Sequence, residues 1–148
     1  MMKTTYDHNQ SLGFLAGLTS RMFNNALVSR FQNEGIDITP EQWGTILVLV
    51  NNGAMNQEQL SQQLTLEKSS ISRLVDGLEK RGWVIRTPST DDSRKKIVSP
   101  TPSAINVTHQ CSVIAEKVLS DAVKGMTDLD ILLYKNLQSR IIKNLKDI

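Results

Sequence analysis

Lys68-Ser69-Ser70-Ile71-Ser72-Arg73-Leu74-Val75-Asp76-Gly77-Leu78-Glu79-Lys80-Arg81-Gly82-Trp83-Val84 is the stretch that decides the fold of this chain of 148 residues. At about 100° per residue, Ile71, Leu74, Val75 and Leu78 fall within one stripe, the pattern of a helix with one face in a core. Directly opposite lie Ser69, Arg73, Asp76 and Lys80, with Ser72 and Gly77 on the flanks. Lys80-Arg81-Gly82 supplies a basic last turn and a glycine to end the helix. Trp83-Val84-Ile85-Arg86-Thr87 is β-prone, residues 88–93 are turn formers, and Ile97-Val98-Ser99 is a second extended run. The helix is therefore expected to lead into a hairpin with a long polar tip.

Upstream, Asn56 is placed to cap a short helix from 57 to about 64, with Gln59 at the reciprocal capping position and Met55 stapled to Leu60. Thr65 is expected to cap the helix that follows, with Glu67 in its first turn, where the helix dipole favours an anion. Farther back, Thr39 as N-cap, Pro40 at the first helical position, Gln42 closing a capping box and Ile38 stapled to Trp43 start another helix. That helix should end near Asn51-Asn52-Gly53. A long helix over 11–33 carries Leu12, Leu15, Leu18, Met22, Ala26 and Leu27. Beyond the hairpin, Thr101-Pro102 opens a helix over 103 to about 124. Thr127-Asp128-Leu129-Asp130 opens the last, with Leu129, Leu132, Leu133, Leu137, Ile141 and Leu145 as its apolar set. The expected fold is mainly α with a small β-hairpin wing: a winged helix-turn-helix lobe over about 37–101 inside a single domain, 1–148, flanked by dimerisation helices over about 11–33 and 103–146.

The apolar content of 39% can bury one core, and the length is too small for two ordinary domains. The net charge of +2 is modest, but its placement is uneven. Residues 67–96 hold eight cations (Lys68, Arg73, Lys80, Arg81, Arg86, Arg94, Lys95, Lys96) against five anions, so this window is net positive and the remainder net negative. A charge run is often no more than a solvated face; the winged fold order is what points it at nucleic acid. The terminal helices carry more apolar stripe than a small winged lobe needs, which predicts association into a homodimer. A twofold dimer would hold its two recognition helices roughly 34 Å apart, one turn of DNA, and would demand a pseudo-palindromic site.

On the helix, the expected contacts to double-stranded DNA are Lys68, Ser69, Ser70, Ser72, Arg73, Asp76 and Lys80. Hydroxyls reach bases or phosphates, arginine forks onto guanine, and lysine meets the backbone. Asp92, Arg94, Lys95 and Lys96 form the hairpin tip. An arginine there can enter a narrow minor groove, with Asp92 holding Arg94 extended through a charge-assisted hydrogen bond. Gly77 in a helix interior costs about 1 kcal/mol relative to alanine. Either a close approach is wanted there, or the glycine is simply tolerated.

These strings resemble the MarR/SlyA family of bacterial winged helix-turn-helix regulators. The similarity runs from Ile38-Thr39-Pro40-Glu41-Gln42-Trp43 through Leu60-Ser61-Gln62-Gln63-Leu64 and the recognition-helix string to the wing Asp92-Ser93-Arg94. The resemblance implies an obligate homodimeric, sequence-specific transcriptional regulator, a repressor of palindromic operators relieved by a small anionic or phenolic ligand. It further implies an effector pocket where the dimerisation helices meet the lobe, for which Phe14, Arg21 and Trp43 are the candidates, although Trp43 reads more readily as a staple and core residue and Arg21 as a surface cation. The chain departs from the family pattern at several points. Thr65 and Ala104 stand where glycine is frequent, Gly77 where a basic residue is common, and Ser93 in place of a second wing arginine, while Pro100 interrupts the strand end.

Other function classes find less support. No Gly-rich phosphate loop or convincing triad is present, so no enzyme activity, catalytic residue or cofactor is expected. A lone cysteine, Cys111, excludes an internal disulfide framework, and with His8 and His109 far apart no metal site is expected. His109 and Cys111 are two apart, which on a helix points them in different directions. Residues 1–10 are polar and unlike a signal peptide, and no window approaches the roughly 18–20 apolar residues of a membrane span. A cytoplasmic protein with no membrane partner is the expectation. The alternatives kept open are a nonspecific or architectural DNA binder, a redox-responsive regulator using Cys111, and an interaction module that has lost DNA contact.

Overall fold

A computed structural model describes residues 6–148; residues 1–5 of the polar start lie outside the described residues. A 3-10 turn, His8–Gln10, precedes α1 (Leu12–Asn33), capped by the Ser11 hydroxyl. Next come α2 (Pro40–Asn52), β1 (Met55–Asn56), α3 (Gln57–Leu64), α4 (Lys68–Lys80), β2 (Val84–Pro88), β3 (Lys96–Pro100), α5 (Pro102–Ala122) and α6 (Asp128–Lys146). Capping chemistry sets most of the helix starts. At α2 the Thr39 hydroxyl accepts from the Gln42 amide at 3.0 Å while the Gln42 side chain accepts from the Thr39 amide at 3.1 Å. Asn56 and Gln59 repeat this reciprocal pair at α3, and Thr127 and Asp130 at α6. Each such cap contributes about 1 kcal/mol.

Thr65 departs from its expected role. It does not cap α4; it ends α3 in the left-handed region (φ +53°, ψ +48°), the one non-glycine residue with positive φ among the described residues. The turn is fastened by Ser61, whose carbonyl accepts from the Leu66 amide and whose hydroxyl donates to the Leu66 carbonyl. Glu67 is therefore the N-cap of α4 and lies just ahead of its first turn, with no side-chain capping bond. A left-handed helix end explains why glycine suits this position. At the far end of α4 the expectation holds. Gly82 (φ +74°) donates to the Glu79 carbonyl and Trp83 to the Leu78 carbonyl, the paired bonds of a glycine-terminated helix.

A three-stranded antiparallel sheet has the order β1-β3-β2. Val84 faces Pro100 and Pro88 faces Lys96, so the strands reach farther into the hairpin than expected and Pro100 closes β3 in register. No pattern in the sequence announces β1. Its two residues pair Met55 with Val98 and Asn56 with Ile97, which ties the start of α3 to the root of the hairpin. Under this sheet, Ile71, Val75 and Leu78 of α4 meet Ile46 and Leu49 of α2, Leu60 of α3, Val84 and Val98 of the strands and Phe31 of α1 in one core. Ala104 and Cys111 of α5 complete it.

Two compact units divide the chain, Met1–Ala115 and Glu116–Ile148. In the first, α1 leaves Leu12, Phe14, Leu15, Leu18 and Met22 exposed. In the second, α6 leaves Leu129, Leu132, Leu133, Leu137, Ile141, Ile142 and Leu145 exposed. No helix among the described residues is long and apolar enough to cross a membrane.

Candidate nucleic-acid interface

α4 is held by its apolar stripe, and this fixes what it presents. With Ile71, Val75 and Leu78 fully buried, Lys68, Ser69, Arg73, Asp76 and Lys80 are exposed, and Ser70 and Ser72 are half-buried at the margins. The helical phasing expected from sequence is therefore the phasing observed. Arg73 lines a shallow cleft with Thr39, Gln42, Ser70 and Leu74, so the start of α2 flanks the exposed side of α4.

Asp76 has a partner within the protein. Its carboxylate meets Arg86 Nη1 of β2 at 2.6 Å, so the acid is neutralised internally, and its placement is that of a residue that holds an arginine. Arg86 was absent from the expected contact set. The signal was nevertheless available: strand alternation puts Arg86 on the same side as buried Val84, and an inward arginine needs acceptors.

The wing tip, residues 89–95, is built from its own hydrogen bonds. Ser89 donates to the Lys95 carbonyl at 2.8 Å, and Lys95 to the Asp92 carbonyl at 3.0 Å. Asp92 Oδ1 accepts from the Arg94 backbone amide at 3.0 Å and from its Nε at 3.2 Å. The Arg94 side chain is 89% exposed, so the clasp extends the guanidinium into solvent without burying it. The Arg94 backbone amide, then its side chain, then Lys95 hold the Asp92 carboxyl below the usual carboxylate range. A depressed carboxylate is ionised at neutral pH; the clasp is lost only as pH falls through the lowered folded value. Lys95 and Lys96 stand beside Arg94 along a cleft shared with Asn56, Gln57 and Glu58, so the tip end of β3 borders the start of α3.

A Cβ built on Gly77 would meet Gln42 Nε2 at 3.8 Å, an ordinary contact, so nothing within the protein requires glycine there. Gly77→Ala is expected to stabilise the fold by about 0.5–1 kcal/mol, read as a higher Tm in a thermal melt. A lower Tm would show that the methyl group is not accommodated.

The three effector candidates do not converge within one protomer. Trp43 packs edge-on against Phe31 at 5.8 Å between ring centroids, whereas Phe14 packs edge-on against His8 at 5.3 Å. Phe14 and Phe31 are seventeen residues apart on α1, roughly 25 Å along its axis. Arg21 lies between them and is exposed, and none of the three lines the clefts around α3, α4 and the wing.

Cys111 is fully buried, and desolvation pushes its thiol up to about 11. A thiol kept protonated and out of reach of solvent is a poor redox sensor, which removes the support for a Cys111 switch. At pH 8 in the native protein it should resist aromatic disulfide reagents and react once denaturant is added; rapid native labelling would contradict this. No cluster of metal-binding side chains occurs among the described residues.

By fold, the chain is similar to a mutant of MarR from Escherichia coli complexed with operator DNA, with a TM-score of 0.84 at 19% identity, covering 94% of this chain and 99% of that one. CouR from Rhodococcus jostii bound to p-coumaroyl-CoA is similar at a TM-score of 0.78 and 20% identity, covering 93% and 95%. Residues 38–96, from the α2 cap to the far side of the wing, match the MarR family. The similarity to the MarR family thus covers the winged helix-turn-helix lobe, 59 of the 148 residues. The chain is also 31% identical over 68 residues to a transcriptional regulatory protein proposed for the hcr operon of Thauera aromatica, an alignment covering 46% of this chain and 41% of that protein. The chain thus spans about two fifths of that relative's length. In the winged-helix fold shared with these structures, α3 and α4 are the helix-turn-helix, and β2 and β3 with their tip are the wing.

Proposed function

We propose that this chain is a DNA-binding transcriptional regulator of the MarR family that works in the cytoplasm as a homodimer, with residues 1–148 acting as one functional domain. It reads a pseudo-palindromic operator, with α4 in the major groove and Arg94 of the wing in the adjacent minor groove, and represses until a small anionic or phenolic effector lowers its affinity. The observation that carries the reading is the division of α4: Ile71, Val75 and Leu78 are spent on the core, while Ser69, Arg73 and Lys80 stand on the exposed side, beside a wing whose arginine is held out by Asp92. Lys68, Ser70, Ser72, Lys95 and Lys96 add contacts to the phosphate backbone.

Dimerisation is supported by the rows of large apolar side chains that α1 and α6 each leave exposed. A sedimentation experiment at micromolar concentration should find a dimer. Effector control is supported by the CouR complex, a protein of the same fold whose ligand is an aromatic thioester. A ligand releases DNA only by binding the DNA-incompetent arrangement better, with a coupling of about 1–3 kcal/mol.

The test is a competition gel shift using a duplex selected from a randomised pool against a scrambled duplex of the same composition. Preference for the selected duplex by about a thousandfold or more supports a sequence-specific regulator. Equal competition with a steep salt dependence would instead mark a nonspecific, architectural binder.

A further inference from the structure

Arg86 stands on β2, but its guanidinium lies on α4. Nη1 meets Asp76 Oδ1 at 2.6 Å and Glu79 Oε1 at 3.6 Å, and Nη2 donates to the Ser72 carbonyl at 3.4 Å. Ser72, Asp76 and Glu79 follow one another at four- and three-residue spacing, so they form one ridge of the helix. A single side chain that touches three points along that ridge opposes both rotation of α4 about its axis and sliding of the helix past the strand. Because β2 is the first strand of the wing, the same contacts decide where the Arg94 tip stands relative to Arg73.

We propose that Arg86 is a positioning residue for DNA recognition, which locks α4 to the wing so that Arg73 and Arg94 engage the duplex as one rigid reader. The inference rests on reading this surface as the DNA interface. Its chemistry is unlike that of a residue kept for stability. The side chain is only 19% exposed and its Nε is buried without a partner, an arrangement that costs free energy. Its acidic partners Asp76 and Glu79 are 53% and 45% exposed, so removing the arginine leaves neither carboxylate buried without a partner. Lysine cannot take over the role, since a point charge on a flexible stem does not fork to several acceptors as a planar guanidinium does. Arg86 also neutralises Asp76, which would otherwise present an uncompensated anion to the phosphates.

The test uses the full chain and two readouts. In the first, Arg94→Ala is made in the parent, Arg86→Met and Arg86→Lys backgrounds, and affinity is measured on the selected duplex. Arg94→Ala should weaken binding at least fivefold in the parent and less than twofold in both Arg86 variants, while the Tm of Arg86→Met stays at or above that of the parent. The second needs no DNA. Spin labels at Ser69→Cys and Ser93→Cys, with buried Cys111 left in place, report the distance from the start of α4 to the wing tip. That distribution should broaden in Arg86→Met and in Arg86→Lys. Equal widths in all three proteins, or an unchanged Arg94→Ala factor in Arg86→Met, would overturn the proposal, as would full rescue by Arg86→Lys. If the parent itself fails to select a duplex, the DNA reading falls and the spin-label widths alone decide whether Arg86 holds the wing.

Discussion

Arg73→Ala should weaken binding to the operator by about 1–3 kcal/mol, roughly 5- to 150-fold, and should relax preference at one base pair in each half-site. The size follows from the side chain's position. Arg73 is exposed opposite the buried stripe of α4, where its fork can take two acceptors on one guanine edge. Removing it leaves those acceptors without donors inside a contact that excludes water, and the loss depends on which base is present. Lys80, at the last turn, is a point charge suited to phosphate. Lys80→Ala should weaken all sequences to a similar degree and lower the slope of log affinity against log salt by about one. The comparison of the two variants on a set of single-base operator variants is therefore the measurement, and identical profiles would contradict the division of labour between them. Both residues lie on the outside of α4, so neither variant should alter the thermal melt by more than about 0.5 kcal/mol.

Leu78→Ala is expected to cost about 2–5 kcal/mol of stability, because the deleted atoms come from a fully buried side chain and a cavity remains where they were. In a chain of this length the corresponding fall in Tm is on the order of 10 °C. The melt must be run at fixed protein concentration, since a dimer gains stability by mass action. The consequence for function is indirect but large. Leu78 is the last of the buried contacts that press α4 onto α2 and the sheet, and it also accepts the Trp83 amide in the turn leading to the wing. A loosened α4 should lose specific binding before nonspecific binding, because phosphate attraction tolerates misorientation and base readout does not. A Tm within about 2 °C of the parent would show that the core around α4 repacks, contrary to the account.

How much of this was legible in the sequence depends on how far apart the deciding residues are. The caps at Thr39, Asn56 and Thr127 were readable because both partners lie within four residues of each other. The stripe of α4 was readable because helical phasing needs no knowledge of the partner. Thr65 was misassigned because threonine is a good N-cap and an uncommon left-handed residue; the Ser61 clasp on Leu66, which holds that strained turn, is a tertiary detail of the α3 end. β1 escaped because two residues carry no periodicity, and their partner strand is more than forty residues away. Asp76 and Arg86 were separately visible, one as an exposed acid and one as a strand residue. Their pairing depends on how β2 crosses α4, which no local pattern states. The exposed apolar faces of α1 and α6 were foreseen as stripes, but the placing of Phe14, Arg21 and Trp43 in one pocket rested on resemblance and finds no support within a single protomer.

In the proposed complex two recognition helices, held by one dimer, read two half-sites on the same side of the duplex. Affinity for the selected operator should therefore be compared with affinity for the same operator carrying five extra base pairs between its half-sites. Half a helical turn rotates one half-site to the opposite side, so the insertion should abolish specific binding and a full-turn insertion of ten base pairs should restore part of it. Unchanged affinity for the five-base-pair insertion would mean instead that each winged lobe binds alone and that no dimer spans the two half-sites.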